Sequence, residues 1–478
     1  MIKPPMRRTK IVATLGPSSS SAELIRAMIS AGVDVFRLNF SHGSHEEQAQ
    51  RTKLIRQCSK ESGRIVGILA DLQGPKIRTH KFKDAAVQLI KGEAFILDAD
   101  LDENMGTEEC VGITYKDLPN DVKAGDVLLL DDGRVELEVD KISGSQIHCI
   151  VQYTCVLSNN KGINLKGGGL SAPALTEKDK ADLKAAVGMG VDFVALSFAC
   201  TADDVHNCRK LVHEAGGDAH IVTKIERAEA IKNIDAIIDA SDVIMVARGD
   251  LGVEMGDAEL PALQKSLIKN ARSRNRVVIT ATQMMESMIE NPIPTRAEVF
   301  DVANAVLDGT DAVMLSGETA MGKYPEKVVQ AMGRICEHAE QQRLAMVSDH
   351  RVDLVFGRID EAIAMATMYT ANHVKTNLIA SLTESGATVL WMSRISSGIP
   401  VYALTTQRGT LRKVTLYRGV YPVSMEFDRI DSCQVTEDIL SLLKQKKIAK
   451  SGDRVIITRG DRMGSQGGSN TMKIVTVS

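Results

Sequence analysis

Three short stretches carry residues whose types and spacing suit the handling of charge. In Arg37-Leu38-Asn39-Phe40-Ser41 polar and apolar positions alternate. On a strand, Arg37, Asn39 and Ser41 therefore share one side while Leu38 and Phe40 take the other. The same period of two sets Lys224 beside Glu226 across Ile225, and Ser316 beside Glu318. Asp71, Arg248, Asp250 and Thr282 close further apolar runs. Glu226 and Asp250 are hard oxygen donors suited to Mg²⁺ or Mn²⁺, which keep positions open for substrate oxygens. Arg37 offers a planar fork for a phosphate, and Lys224 a compact positive charge. Phosphoryl transfer needs in-line positioning and neutralised charge more than covalent help, and two carboxylates with two cations meet that need. Taken singly, a Lys-x-Glu or an Asp at a strand end is an ordinary ion pair, and an Arg there can cap a helix. Convergence from several strands on one face is what favours a site.

That convergence requires the runs to belong to one sheet. Eight apolar runs end in polar or glycine-containing residues: 9–15, 33–40, 64–72, 191–198, 220–226, 242–250, 276–284 and 311–319. Amphipathic stretches lie between most of them, and Ser44 to Glu47 and Thr295 to Glu298 have capping-box spacing. Repeated strand–helix units of this length predict a closed (β/α)₈ TIM barrel, with its site at the carboxyl ends of the strands. Residues 73–170 break the rhythm with short β-type runs and an Asp132-Gly133 hairpin signal. They predict a small inserted β-barrel lid domain. Lys166-Gly167-Gly168-Gly169 lacks the Lys-Ser/Thr of a P-loop and reads as the hinge of that lid. Beyond about residue 345, strand-like runs such as LIASLTE and RVIITRG alternate with helical ones, predicting a C-terminal open α/β domain. The expected division is 1–72 with 171–345 for the catalytic barrel, 73–170 for the lid and 346–478 for a regulatory domain. His42 and His45 read as a solvated helix start rather than metal ligands, and the Met284-Met285 stretch reads as packing.

Composition bounds the function classes. The 478 residues are 44% hydrophobic and 25% charged, with aromatics at only 4%, which suits aliphatic parallel-sheet cores. A formal net charge of -3 argues against nucleic acid or an anionic membrane as the main partner. The eight cysteines include no C-x-x-C pair, so they read as reduced thiols of a cytoplasmic protein. The apolar run IVATL near the start is too short for a signal peptide, and no run has bilayer-spanning length.

The ordered segments TKIVATLGPSS, FRLNFSHG, DLQGPKIR, KGINLKGGGLSAPALTEKD, TKIERAEA, MVARGDLGVE, TATQMMESM, PTRAEVFDVANAVLDGTDAVMLSGETA and LYRGVYPV resemble the pyruvate kinase family over essentially the whole chain. The resemblance implies transfer of a phosphoryl group from phosphoenolpyruvate to ADP, giving pyruvate and ATP, in a homotetramer. It implies that Arg37 binds the substrate phosphate, that Lys224 neutralises the phosphoryl group in transit, and that Glu226 and Asp250 hold Mg²⁺ or Mn²⁺. Gly249, Asp250 and Thr282 would contact the carboxylate end of the substrate, with Thr282 near the route of enolate protonation. Asn39, Phe40, Ser41, His42 and Arg78 would meet the nucleotide phosphates.

Three departures from the family pattern matter. Relatives that use K⁺ hold it near the positions of Asn39, Ser41, Asp71 and Leu72 and carry Glu where this chain has Lys76. An ammonium there predicts activity without K⁺. The stretch Ala199-Cys200-Thr201 lacks the basic residues that many relatives place near the nucleotide. In the tail, the turn containing Thr383, Ser385, Gly386 and Thr388 can receive a phosphorylated effector, while Ala387 replaces an Arg of relatives regulated by sugar bisphosphate. The expected effector is accordingly a sugar monophosphate or AMP. The rival enzymatic reading is a barrel lyase or aldolase acting on an enolpyruvate-type acid; the non-enzymatic rival is a silent sensor of phosphorylated metabolites.

Overall fold

The computed structural model describes residues 7–342, 355–425, 434–460 and 467–478. All eight apolar runs form strands: Lys10–Leu15, Val35–Asn39, Gly67–Asp71, Phe193–Leu196, His220–Ile225, Val243–Ala247, Val277–Ala281 and Ala312–Leu315. Each pairs in parallel with the next, and the eighth returns to the first with Ala13 opposite Leu315, closing the barrel. Closure buries both faces of every strand, which is why the runs read as continuous rather than alternating. One face packs inward, with Val12, Val35, Leu69, Val222 and Ile279 in one buried cluster. The other packs against the helices through Ile11, Phe36, Leu38, Ile68 and Val246. Each such buried side chain contributes on the order of 1.5–3 kcal/mol.

Helix starts follow their local signals. Ser44 and Glu47 form a reciprocal capping box at the helix His45–Ser62, and Thr295 and Glu298 form another at the helix Arg296–Asp308. Two runs end sooner than their apolar content suggests. Arg248 opens the helix Arg248–Met255, and Gly317 opens the short helix Gly317–Ala320. An apolar run does not distinguish a strand end from a helix start when the following turn buries the same face.

The insertion is β-rich as expected, and Arg78 and Thr79 bridge both edges of its main sheet, pairing with Gly162 and Ile113, so that the ladders close into the expected small barrel. It holds a six-stranded sheet and a separate pair, Ala86–Leu89 with Cys155–Ser158. Leu130 pairs with Val135 across the Asp132-Gly133 turn, where Asp131, Asp132 and Gly133 all have positive φ. The C-terminal unit is an open five-stranded sheet in the order Val420–Ser424, Val401–Thr405, Leu378–Leu382, Arg454–Gly460, Ser469–Thr476, antiparallel only at its last strand. The expected boundary at 345/346 lies outside the described residues, as does Cys433; the other seven cysteines are free thiols. Among the described residues no helix is long and apolar enough to cross a membrane.

The C-terminal unit packs on the base of the barrel, the end opposite the strand carboxyl termini. Arg394, fully buried, pairs there with Asp311 at the foot of the eighth barrel strand. Asp311 also accepts the backbone N–H groups of Val278 and Arg418. Close by, Lys10 donates to the Val420 carbonyl at 2.6 Å.

Candidate active site

At the carboxyl ends of the strands lies a solvent-open cavity of about 680 Å³, lined by Arg37, Asn39, Ser41, His42, Asp71, Leu72, Lys76, Arg78, Lys224, Glu226, Asp250 and Thr282 among others. Residues remote in sequence meet here because successive parallel strands deliver their ends to one rim. The alternation in 37–41 holds: Arg37, Asn39 and Ser41 face the cavity, while Leu38 and Phe40 are buried in the outer core.

The charges are cross-paired. Arg37 donates through Nε to Asp71 at 2.6 Å and through Nη1 to Thr14 at 3.0 Å, which fixes the plane of its guanidinium. The Lys224 ammonium donates to Glu226 at 2.9 Å and to Ser197 Oγ at 2.8 Å, and stands 3.4 Å from Asp71. Burial works against an ammonium, but Asp71 and Glu226 outweigh it and hold Lys224 charged, above the ordinary lysine range. Asp71 stays below the usual carboxylate range despite its burial, because Lys224 and Arg37 flank it. Glu226 goes the other way: burial, together with the neighbouring Asp250 charge, pushes it up against the pull of Lys224. Its other oxygen accepts the Phe198 N–H at 2.9 Å.

A divalent cation fits this donor set. Two hard carboxylates share one cavity, and the Asp250 charge adds to the burial that raises Glu226. A cation between them relieves their repulsion and leaves positions for substrate oxygens. Among the described residues no cluster of three or more His, Cys, Asp or Glu offers a competing cage. The Lys76 ammonium, on the chain segment leaving for the insertion, pairs with Asp250 at 2.9 Å.

Thr282 closes the far wall. Its Oγ1 accepts the Gly249 N–H at 2.9 Å and donates to the Ala281 carbonyl at 2.7 Å. Both Thr282 and Gln283 have positive φ (67° and 52°), a conformation that costs a β-branched residue on the order of 1–3 kcal/mol. Strain of that size persists only where the surroundings enforce it.

Some expected members lie elsewhere. Phe40 and Gly249 are absent from the cavity wall: the Phe40 ring is buried and its carbonyl accepts the Lys178 ammonium at 2.9 Å, whereas Gly249 contributes its N–H to Thr282. Arg248 turns outward to Asp301 at 2.7 Å and to the Thr282 carbonyl, tying two helices to the barrel. Glu318 is buried and accepts the backbone N–H groups of Ser316 and Met285, because the chain turns helical at Gly317. The strand period therefore does not extend to it. His45 bonds Asp182 at 2.6 Å, a tie between helices, and Met284, Met285 and Met288 are core. In the tail, Thr383 Oγ1 accepts the Gly386 N–H at 2.9 Å, and Gly386 (φ 87°) precedes the helix Ala387–Ser393. The Thr388 hydroxyl is buried and shared with Ser469, which removes it from the free hydroxyls of the turn. Thr14 and Ser197 were not singled out from the sequence; both sit at strand ends, so the rule that found Arg37 and Lys224 would have reached them.

Comparison with known proteins accords with this geometry. Residues 6–329 match the family described as "Pyruvate kinase, barrel domain", and residues 361–475 match "Pyruvate kinase, alpha/beta domain". "Pyruvate kinase II" of Salmonella typhimurium is 54% identical over 476 residues, covering 99% of each chain. "Pyruvate kinase" of Buchnera aphidicola subsp. Baizongia pistaciae is 52% identical over 98% of this chain and 99% of the relative. The "Pyruvate kinase" of Haemophilus influenzae is 52% identical over 96% and 97%. With barrel, insertion, tail and strand-end charges all in place, and relatives matching from end to end, the chain belongs to the pyruvate kinase family.

Proposed function

We propose that this chain is the phosphotransferase that moves the phosphoryl group of phosphoenolpyruvate to ADP, giving pyruvate and ATP, the closing step of glycolysis. The convergence of Arg37, Lys224, Glu226, Asp250 and Thr282 on one cavity carries that reading. Arg37, held in orientation by Asp71 and Thr14, presents its remaining donors to the substrate phosphate. Lys224, kept charged by its two carboxylate neighbours, neutralises the phosphoryl oxygens while the bond to the enolate oxygen breaks and the bond to the ADP oxygen forms. Mg²⁺ or Mn²⁺ held by Glu226 and Asp250 supplies further charge neutralisation. Gly249, Asp250 and Thr282 orient the carboxylate end, and the enolate then takes a proton at carbon on the Thr282 side.

Asn39, Ser41, His42 and Arg78 face the same cavity, which supports their meeting the nucleotide phosphates, with Phe40 holding that loop from behind through its buried ring. Residues 73–170 act as a lid that excludes water, so that the phosphoryl group is not lost to hydrolysis. Lys76 lines the cavity together with Asn39, Ser41, Asp71 and Leu72, which supports an ammonium serving where relatives use K⁺. Thr383, Ser385 and Gly386 remain the proposed seat of a phosphorylated effector; Ser385→Asp should abolish activation by sugar monophosphates and AMP, and full activation of that variant would remove the site. Phe300 on the helix Arg296–Asp308 and Ile293 just before it leave apolar surface exposed, which suits contact between copies in the proposed cytoplasmic homotetramer.

A coupled assay tests the central reading directly. ATP must form from ADP and phosphoenolpyruvate in proportion to pyruvate. Cleavage of the acid without ATP formation would favour the lyase or aldolase reading instead.

A further inference from the structure

The two segments that cross between barrel and insertion are both gripped in part by the elements that present the metal carboxylates. The outbound segment contains Gly74 (φ 67°), whose N–H donates to Asp179 at 3.0 Å and where a Cβ would stand 2.7 Å from the Ser197 Cβ. Two residues further on, Lys76 reaches Asp250. The return segment ends in the three glycines. Gly169 donates to the Glu229 carboxylate, and a Cβ on Gly168 would stand 2.5 Å from that same carboxylate. Arg227, next to Glu226, donates to the Ala172 carbonyl at 3.2 Å.

Glu254 sits where these grips meet. It lies one helical turn beyond Asp250 on the helix Arg248–Met255, so both carboxylates fall on one face. One Glu254 oxygen accepts the Ala228 N–H at 2.8 Å, two residues beyond Glu226; the other faces the Asn164 amide of the return segment at 3.4 Å. The Glu254 carbonyl accepts the Gly167 N–H at 3.1 Å. A crevice of about 260 Å³ separates the segments from the helix, lined by Lys76 and Asn164 on one side and Asp250 and Glu254 on the other. Burial pushes the Glu254 carboxyl up to about 7; a carboxyl kept at that cost is more characteristic of functional positions than of plain packing.

We propose that Glu254 is a positioning residue that couples the lid hinge to the metal carboxylates, so that the setting of Asp250 and Glu226 and the closure of residues 73–170 change together. A cation held by Asp250 would compete with Lys76 for that carboxylate, letting the outbound segment swing with the insertion into a closed position where both crossings are covered. The return segment stays pinned by Glu254 and becomes the pivot. Glu254 touches no substrate in this arrangement and acts through Asp250, Ala228 and Asn164. The inference rests on the lid reading of the insertion.

The experiment uses the full chain and follows limited proteolysis of the crossing segments with and without Mn²⁺ plus phosphoenolpyruvate, alongside the ratio of pyruvate to ATP formed. In the parent protein the two ligands should slow cleavage, with the ratio near unity. Glu254→Ala should lose the ligand-dependent protection and release pyruvate in excess of ATP, while Glu254→Gln, which keeps an acceptor for Ala228, should restore both. Asn164→Ala is the milder companion and should shift both readouts the same way, should Glu254→Ala fail to fold. Protection and ratio unchanged in Glu254→Ala, or in Asn164→Ala if that is the variant that folds, would overturn the coupling. Absence of ligand protection in the parent protein would overturn the lid reading itself, and the coupling with it.

Discussion

The barrel buries charge at both of its ends, and the two ends treat it differently. At the base, Asp311 accepts both nitrogens of Arg394 and two backbone N–H groups, and Asp34 is shared by Arg7, Arg64 and the Ile11 N–H. Those carboxylates are saturated by the fold. At the mouth, Arg37, Asp71, Lys224 and Glu226 pair with one another across an open cavity; among the described residues Asp71 Oδ1 has no hydrogen-bond partner, only the Lys224 ammonium 3.4 Å away, and Glu226 is pushed towards its neutral form. Saturated charges fix a geometry, while under-satisfied ones lining a cavity retain capacity for a ligand.

Substitutions at the two ends should therefore fail in different ways. The largest effect belongs to the mouth: Lys224→Met should lower turnover on the order of 10³-fold or more while leaving phosphoenolpyruvate binding and the melting temperature nearly unchanged. Steady-state kinetics beside a direct binding titration checks this, and unaltered turnover would take Lys224 out of the mechanism. At the base, Arg394→Met should cost about 3–5 kcal/mol of stability, since it leaves Asp311 buried without its guanidinium. Denaturant unfolding measures that loss, and activity per folded molecule should hold; a catalytic defect without destabilisation would erase the contrast between the ends.

A smaller effect separates the cations. Adding K⁺ to a K⁺-free assay should leave the parent rate nearly unchanged, whereas Lys76→Glu should become K⁺-dependent; strong activation of the parent by K⁺ would end that assignment. The smallest effect is at the base and depends on pH. Burial pushes His220 down to about 4, opposed by Asp242 and Asp218 and reinforced by Lys413 and Arg209. Its neutral form is the folded one, so its contribution is complete above the unfolded value near 6.5 and is lost as pH falls from there towards 4. Melting temperatures across that window should fall less steeply for His220→Gln than for the parent, and identical slopes would mean that His220 is not the sensor.

Periodicity and strand-end chemistry by themselves determined a good deal: eight barrel strands, five tail strands, a β-rich insertion, two capping boxes and the cavity residues Arg37, Asn39, Ser41, Lys224, Glu226, Asp250 and Thr282. These are local or repeating signals, carried by which faces must be buried. Only the tertiary structure decided where each polar end points once its strand stops. Arg248 and Glu318 follow the same sequence pattern as Asp250 and Ser316, yet helix starts at Arg248 and Gly317 turn their side chains into the packing. The pairing of Lys76 with Asp250 and the grip of Glu254 on Gly167 and of Glu229 on Gly169 likewise join residues far apart in the chain. Such contacts depend on how the insertion folds back over the barrel, and no period in a linear sequence encodes that distance.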